Sequence, residues 1–263
     1  MNTPAVSRAG LIEARGIHKS FGQTPALRGA SVSVGQGEIV AIMGPSGSGK
    51  STLLHCLAGI YSPDNGEVLF DGQLLNTMNE ADRTRLRRTA FGFVFQFGQL
   101  VPELTAADNV ALPLLLNRTK RKVAYQTAGT WLDRLGIGDK GSRRTGELSG
   151  GEAQRVAVAR ALAMKPKVIF ADEPTGSLDS LTGEKVMDLM TDLAREHGVT
   201  VVIVTHDARI AAYADRVATV RDGLVISINL PPAPQATVTA ARAVGPAAPA
   251  ASAAQFNSVT GAE

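Results

Sequence analysis

A glycine-rich stretch at residues 44–52 constrains the fold of this chain more than any other feature. It reads GPSGSGKST and fits the pattern G-x-x-x-x-G-K followed by Ser or Thr. The apolar run EIVAIMG at 38–44 precedes it, as expected of a buried strand, and a helical pattern follows over 50–60. This order of strand, loop and helix predicts a phosphate-binding loop in an α/β protein.

The residue types of this loop suit the binding of a nucleoside triphosphate. Glycines let backbone N–H groups approach phosphate oxygens, and the start of the helix presents its positive dipole end to them. We expect Lys50 to reach the β- and γ-phosphates and the Ser51 hydroxyl to ligate Mg²⁺. The alternative is a glycine-rich turn that binds nothing. The candidate nucleotide-binding residues of the loop are Gly44, Pro45, Ser46, Gly47, Ser48, Gly49, Lys50, Ser51 and Thr52.

A second acidic element lies in the stretch VIFADE at 168–173. Its apolar residues place Asp172 at the carboxyl end of a buried strand, where the ligands of open α/β sheets bind. Asp172 would hold Mg²⁺, directly or through water, and Glu173 would polarise the attacking water. The alternative is a solvated acidic end of a strand.

The stretch LSGGE at 148–152 narrows the class, since kinases, GTPases and many ATPases share the phosphate loop. With these elements in this order, residues 11–227 resemble the ATP-binding-cassette (ABC) ATPases. The resemblance implies an α/β fold, with a P-loop NTPase core, an antiparallel β subdomain and an inserted helical subdomain. It also implies ATP and Mg²⁺ as ligands. The family's LSGG segment opens a helix and faces the γ-phosphate held by the other subunit, a role that falls here on Leu148, Ser149, Gly150, Gly151 and Glu152.

Further positions take family roles by the same resemblance. Phe21 matches the aromatic residue that stacks on adenine, and Gln96 matches the glutamine that touches Mg²⁺ or the water. His206 ends the run VTVVIVTH and matches the histidine that contacts the γ-phosphate. The alternatives are a packed core aromatic, a polar end of a strand and a structural histidine. The implied catalytic residues are Glu173, His206 and Gln96, and the implied loop across the dimer seam is Ser177, Leu178 and Asp179.

The resemblance also implies partners. Each chain would supply halves of two ATP sites, so we expect a head-to-tail dimer, either a homodimer or a pair with a related ATPase subunit. Residues 91–116 resemble the ATPases of the lipoprotein-release, macrolide-export and cell-division class, which pair with FtsX-like permeases. We therefore expect a cytoplasmic protein, peripheral on the inner face of the cell membrane through its permease.

Composition and motifs divide the chain into three parts. We expect an N-terminal extension at 1–10, an ABC ATPase domain at 11–228 with its helical subdomain at about 97–165, and an Ala/Pro-rich flexible tail at 229–263. The tail has many prolines and few large apolar groups to bury. Additional predicted elements are short strands at 11–17 and 31–34, buried strands at 167–174 and 199–206, and a hairpin at 216–227.

Composition argues against several other classes. The 27 Lys and Arg residues against 24 Asp and Glu leave a net charge of +3, too even to indicate nucleic-acid binding. The single cysteine, Cys56, excludes an internal disulfide framework and a multi-cysteine metal site. The apolar runs are too short for a membrane helix.

Two rival functions stay open. One is a DNA-maintenance or translation-factor ATPase with the same cassette, but the sequence lacks the long coiled coil or the second cassette of such proteins. The other is a scaffold that uses ATP only to dimerise. Glu173 and His206 argue against this scaffold because both hydrolytic positions are filled.

Overall fold

The computed structural model describes residues 10–230 of the chain. The expected N-terminal extension at 1–10 and tail at 229–263 lie outside these residues, apart from Gly10, Asn229 and Leu230. The strands are β1 (Ile12–Phe21), β2 (Thr24–Val34), β3 (Ile39–Met43), β4 (Asn65–Phe70), β5 (Gln73–Leu74), β6 (Phe91–Phe95), β7 (Val168–Asp172), β8 (Thr200–Thr205), β9 (Arg216–Arg221) and β10 (Leu224–Asn229). The helices are α1 (Lys50–Leu57), α2 (Glu80–Ala90), α3 (Ala106–Leu116), α4 (Arg121–Arg134), α5 (Gly150–Ala163), α6 (Ser180–Glu196) and α7 (Ala208–Ala211).

Four strands form an antiparallel sheet in the order β2-β1-β4-β5. Strands β1 and β2 are longer than the short strands predicted at 11–17 and 31–34, so those predicted bounds were wrong. Register shifts between Ala14 and Ile17, and again between Lys19 and Ser20, interrupt the alternation of apolar and polar residues along β1.

The second sheet has the order β10-β9-β3-β8-β7-β6. Its strands run parallel except β10, which pairs antiparallel with β9 at the edge. All of β8 is buried, as are most residues of β3 and β7, which is typical of parallel strands covered on both faces. The buried strands and the hairpin predicted from the sequence are therefore confirmed.

Helices cover both faces of the parallel sheet. On one face, α3, α4 and α5 bury Val110, Trp131 and Val156 in a shared core. On the other face, α1 buries Leu53 and Leu54 between the two sheets. The assignment of about 97–165 to a helical subdomain stays a prediction. No helix within residues 10–230 is long and apolar enough to cross a bilayer.

The parallel register brings several loops to one edge of the sheet. Met43 at the end of β3 lies opposite Thr205 at the end of β8, and Asp172 at the end of β7 lies opposite both Val204 and Phe95. The residues that directly follow these four strands must therefore share one edge, where ligands of open α/β sheets bind.

Candidate active site

The loop between β3 and α1 forms a closed turn around a lysine ammonium. Lys50 begins α1 and is buried, and its Nζ donates a hydrogen bond to the carbonyl O of Pro45 at 2.9 Å. Gly49 precedes the helix with a φ of 103°, and a Cβ there would lie 2.4 Å from the carbonyl O of Ala26. The loop thus packs directly against β2. The hydroxyl of Ser48 is buried without a hydrogen-bond partner among the described residues, and it is free to donate to a ligand in the loop.

The second residue of α1 contacts the acidic end of β7. The Ser51 Oγ donates to Oδ1 of Asp172 at 3.0 Å. Burial raises the pKa of the Asp172 carboxyl, and the neighbouring charge of Glu173 raises it further. The hydrogen bond from Ser51 lowers this pKa but does not cancel the rise. Such a carboxyl gains from a cation beside it, because a nearby positive charge favours its ionised form.

These two oxygen donors fit Mg²⁺. The ion prefers hard oxygen ligands and is commonly held by one or two protein groups plus the phosphates of a substrate. Within residues 10–230, no group of three or more His, Cys, Asp or Glu side chains could hold a metal by itself. Ser51 and Asp172 would thus supply one or two ligands of such an ion, and phosphate oxygens and water would supply the others.

Glu173 and His206 form a pair at the same edge. The Nδ1 of His206 lies 2.8 Å from Oε1 of Glu173, and the Glu173 amide donates to the Val204 carbonyl at 2.9 Å. Glu173 has a φ of 48°, a conformation that costs a residue with a Cβ some energy and is frequent at functional sites. This turn presents its carboxylate beyond the end of the strand, beside an exposed imidazole. Together they can polarise a water molecule.

Gln96 follows β6 and lies against the segment after Glu173. Its carbonyl accepts a hydrogen bond from Ser177 Oγ at 2.6 Å. A Cβ on Gly176 would lie 2.8 Å from Nε2 of Gln96, so the glutamine amide packs closely on this backbone. Leu178 lies next to Gly150, and Asp179 caps α6 by accepting from the Thr182 amide at 3.1 Å. The predicted seam loop thus links Gln96 to the start of α5.

The segment 148–152 forms the start of α5, which begins at Gly150, so the expectation that this segment opens a helix is confirmed. Ser149 is the N-cap: its Oγ accepts from the Glu152 amide at 3.3 Å, and Glu152 Oε2 accepts from the Ser149 amide at 2.8 Å. This reciprocal capping box fixes the first turn and leaves the helix N-terminus available to an anion. Among the described residues, no hydrogen bond joins this segment to the phosphate loop of the same chain.

Phe21 ends β1 with its ring half exposed. Its ring centroid lies 5.3 Å from that of Tyr61 in an edge-on arrangement, and Lys19 Nζ lies 5.8 Å from the Phe21 ring. Tyr61 in turn contacts His55 edge-on at 5.3 Å. An exposed aromatic face held in this way can stack on a planar base.

Sequence reasoning missed His55 and Tyr61 as neighbours of the site. His55 Nε2 lies 4.0 Å from Oδ2 of Asp172. Burial lowers the pKa of the His55 imidazole, and the negative charge of Asp172 only partly offsets this effect. A signal for His55 exists, because it lies four residues after Ser51 on α1 and so shares its face. Nothing in the local pattern indicates Tyr61.

A groove of about 540 Å³ borders the segment after Gln96. It lies between α2, β6, α3 and the end of α5, and its lining includes Phe91, Phe93, Leu116, Arg160 and Met164. Phe97, directly after Gln96, is largely exposed. An apolar groove of this size can take a partner segment.

Comparison with known proteins identifies the family. The sequence pattern of the family described as ABC transporter matches residues 27–176. The chain is 46% identical over 217 residues to the lipoprotein-releasing system ATP-binding protein LolD of Porphyromonas gingivalis, a match that spans 82% of this chain and 99% of the relative. It is also 46% identical over 205 residues to LolD of Myxococcus xanthus, across 76% of this chain and 92% of that protein.

Solved structures agree with this assignment. A dimeric ATP-binding cassette in a post-hydrolysis state, bound to ADP and Pi, has a TM-score of 0.77 and 38% sequence identity, with 84% of this chain and 99% of that chain covered. The structure thus shares the fold of this chain over most of its length. The chain therefore belongs to the ABC transporter family and is one of its ATP-binding, ATP-hydrolysing subunits.

Proposed function

We propose that this subunit closes as a dimer around two ATP molecules and so drives a separate, FtsX-like membrane permease. The work done would be export, lipoprotein or peptide extraction, or mechanical coupling. The observation that carries the proposal is the groove lined by Phe95 and Gln99, because these residues flank the segment that holds Gln96 at the nucleotide edge.

Within one chain, the phosphate loop would bind ATP. Lys50 would exchange its bond to the Pro45 carbonyl for the β- and γ-phosphates, and the Phe21 ring would stack on adenine. Ser51, Asp172 and Gln96 would hold Mg²⁺, which neutralises phosphate charge when it is bound. We propose the cassette itself at 11–228, with a helical subdomain at about 97–165.

Hydrolysis would use the pair at the end of β7 and β8. Glu173 would orient and deprotonate the attacking water, while His206 would hold that carboxylate and contact the γ-phosphate. The 2.8 Å contact between the two side chains supports this division of roles.

The second half of each site would come from a second copy of the chain or from a related subunit. Ser149 and the first turn of α5 form an N-terminus suited to a phosphate, yet no hydrogen bond ties them to the loop of their own chain among the described residues. A head-to-tail dimer would bring this turn to the partner's γ-phosphate, with Asp179 crossing the seam. The solved dimeric cassette with ADP and Pi supports this arrangement.

The variant Glu173→Gln, which loses the carboxylate charge, tests whether ATP holds two subunits together as a dimer. We expect turnover to fall by about 10²–10⁴ while ATP binding is kept. Light scattering should then find a dimer with ATP and Mg²⁺ and a monomer with ADP. Lys50→Ala, the control that weakens nucleotide binding, should stay monomeric with either nucleotide. A Glu173→Gln variant that remains monomeric at saturating Mg-ATP, with its permease present, would contradict the proposal.

The permease would bind the groove and hold the subunit at the inner face of the membrane. The names of the LolD relatives support the lipoprotein-release class. The lining of the groove combines apolar side chains with Arg87, Arg88 and Arg160. Arg87 pairs with Glu80 and Arg160 binds two backbone carbonyls, so Arg88 is the lining cation that we expect a partner to meet. The groove therefore suits an amphipathic helix that carries an acidic side chain.

A pair of matched substitutions tests the groove. Leu116 in the groove and Ile226 on β10 are exposed to similar extents, 58% and 56%. After co-expression with the FtsX-like permease, Leu116→Glu should abolish co-purification, whereas Ile226→Glu should preserve it. Both variants should unfold at the wild-type temperature. Equal retention of the permease by the two variants would exclude this groove as its binding surface.

A further inference from the structure

The guanidinium of Arg160 extends from α5 to the backbone that follows β6. Its Nη2 donates to the Gly98 carbonyl at 2.7 Å and its Nη1 to the Gln99 carbonyl at 2.8 Å. Burial lowers the pKa of this arginine, and no neighbouring carboxylate opposes the effect among the described residues. A partly buried charge satisfied by two carbonyls places demands on their position.

The backbone that these bonds hold is a tight turn of unusual conformation. Gly98 and Gln99 have φ values of 66° and 43°, so a residue with a Cβ adopts the left-handed region here. The Gly98 amide closes the turn on the Phe95 carbonyl at 2.9 Å. Such a turn needs support from outside, and Arg160 supplies two hydrogen bonds.

A second side chain of α5 holds the other end of the same segment. Gln154 is 1% exposed, and its Nε2 donates to the Phe95 carbonyl at 3.0 Å. We name Gln154 and Arg160, with the three carbonyls they bind, the carbonyl clamp. Gln96 lies inside the clamped segment, and its own carbonyl is held by Ser177 from the opposite side.

We propose that Arg160 is a positioning residue for Gln96: through the carbonyl clamp, helix α5 sets where the Gln96 side chain meets the nucleotide edge. This proposal rests on the proposed role of Gln96. Because the same helix begins at the capping box of Ser149, a movement of that turn towards a partner's phosphate carries Gln96 with it. Arg160 thereby couples the trans half of one ATP site to the cis half of the other.

The test compares Arg160→Gln with Arg160→Lys and a control, on the full chain without permease. Lysine keeps the charge but cannot span two carbonyls as the guanidinium fork does. The control is Arg134→Gln, because Arg134 of α4 contacts Glu196 and His197 and no part of the clamped segment. Basal ATP hydrolysis gives kcat and KM, and hydrogen exchange reports the Gly98 amide.

We expect Arg160→Gln to lower kcat by about ten- to a hundredfold, as a small misplacement of a catalytic group does. KM for ATP should change by less than about twofold, since the phosphate loop is untouched. Arg160→Lys should fall between Arg160→Gln and the wild type, and Arg134→Gln should match the wild type. Exchange at Gly98 should accelerate in the Arg160 variants only.

A double-mutant cycle with Gln96→Ala decides whether Arg160 acts through Gln96. In the Gln96→Ala background, Arg160→Gln should lower kcat by less than about twofold further. An equal fall in both backgrounds, a rise in KM with unchanged kcat, or normal turnover in Gln96→Ala alone would each overturn the proposal. If Arg160→Gln does not fold, the same criteria apply to Arg160→Lys. A failure of permease binding would leave this cycle unaffected.

Discussion

Gly47 and Gly49 both lie in the phosphate loop with positive φ, 76° and 103°, but an alanine side chain would meet different surroundings at each. At Gly47 a Cβ has no heavy atom within 4 Å. At Gly49 it would lie 2.4 Å from the Ala26 carbonyl O and 3.1 Å from Leu27 Cδ2. Both substitutions thus carry a conformational cost, and only Gly49→Ala adds a clash with backbone.

The left-handed conformation costs an L residue about 1–2 kcal/mol, which should be the whole effect of Gly47→Ala. Gly49→Ala adds a clash with backbone that no rotamer relieves, and overpacking of this kind costs about 1–3 kcal/mol more. The entropy that alanine removes from the unfolded chain is common to both variants and cancels in the comparison.

Urea unfolding without nucleotide measures this difference. With a slope of about 2 kcal/mol per molar urea, the midpoint of Gly49→Ala should lie about 1 M below that of Gly47→Ala. Fluorescent ATP analogues should also bind Gly49→Ala more weakly, because Lys50 and Ser51 follow the displaced residue. Equal midpoints for the two variants would refute the claim that packing against β2 holds the loop.

Three other predictions follow from the described contacts. Lys50→Ala should weaken ATP binding about ten- to a hundredfold in a fluorescence titration, since it removes charged hydrogen bonds to phosphate. Burial raises the pKa of Glu38, but hydrogen bonds from Arg216 and the Gly35 amide, with the charge of Arg216, hold it below its ordinary value of 4.5. A lowered pKa stabilises the fold above the unfolded-state value, so Glu38→Gln should cost about 1 kcal/mol at neutral pH. Urea unfolding should find that this deficit shrinks as the pH falls below 4.5 and disappears once the pH lies below the lowered pKa of folded Glu38. Burial raises the pKa of the Cys56 thiol to about 12, so mass spectrometry should find it alkylated by iodoacetamide in urea but not in the native protein.

The parallel sheet and the location of the nucleotide edge could be predicted because their signals are local. A run of buried apolar residues ending in Asp172 or His206 indicates both the strand and the edge at which its last side chain lies. Once the strands are neighbours, parallel pairing brings these ends together. The contact between Ser51 and Asp172, 121 residues apart, follows from that geometry.

Other features depend on contacts that no local pattern encodes. The bulges in β1 interrupt the alternation of apolar and polar residues along it. The residues of β1 beyond 17 therefore lack the pattern that predicts a strand. The contacts of Tyr61 with Phe21 and His55 arise because a connecting loop passes the end of β1. In the sequence, nothing distinguishes Arg160 from other arginines on helix surfaces. Its role depends on the turn at Gly98, which places two backbone carbonyls within hydrogen-bond distance of its guanidinium.

The bond between the Lys50 ammonium and the Pro45 carbonyl has a consequence for how the nucleotide cycle is controlled. A loop that already folds around its own cation is preorganised, so little ordering remains to be done when a nucleotide enters. Loading an isolated subunit should then be rapid and should barely reshape it. The slow, regulated events would have to be the meeting and parting of two such subunits.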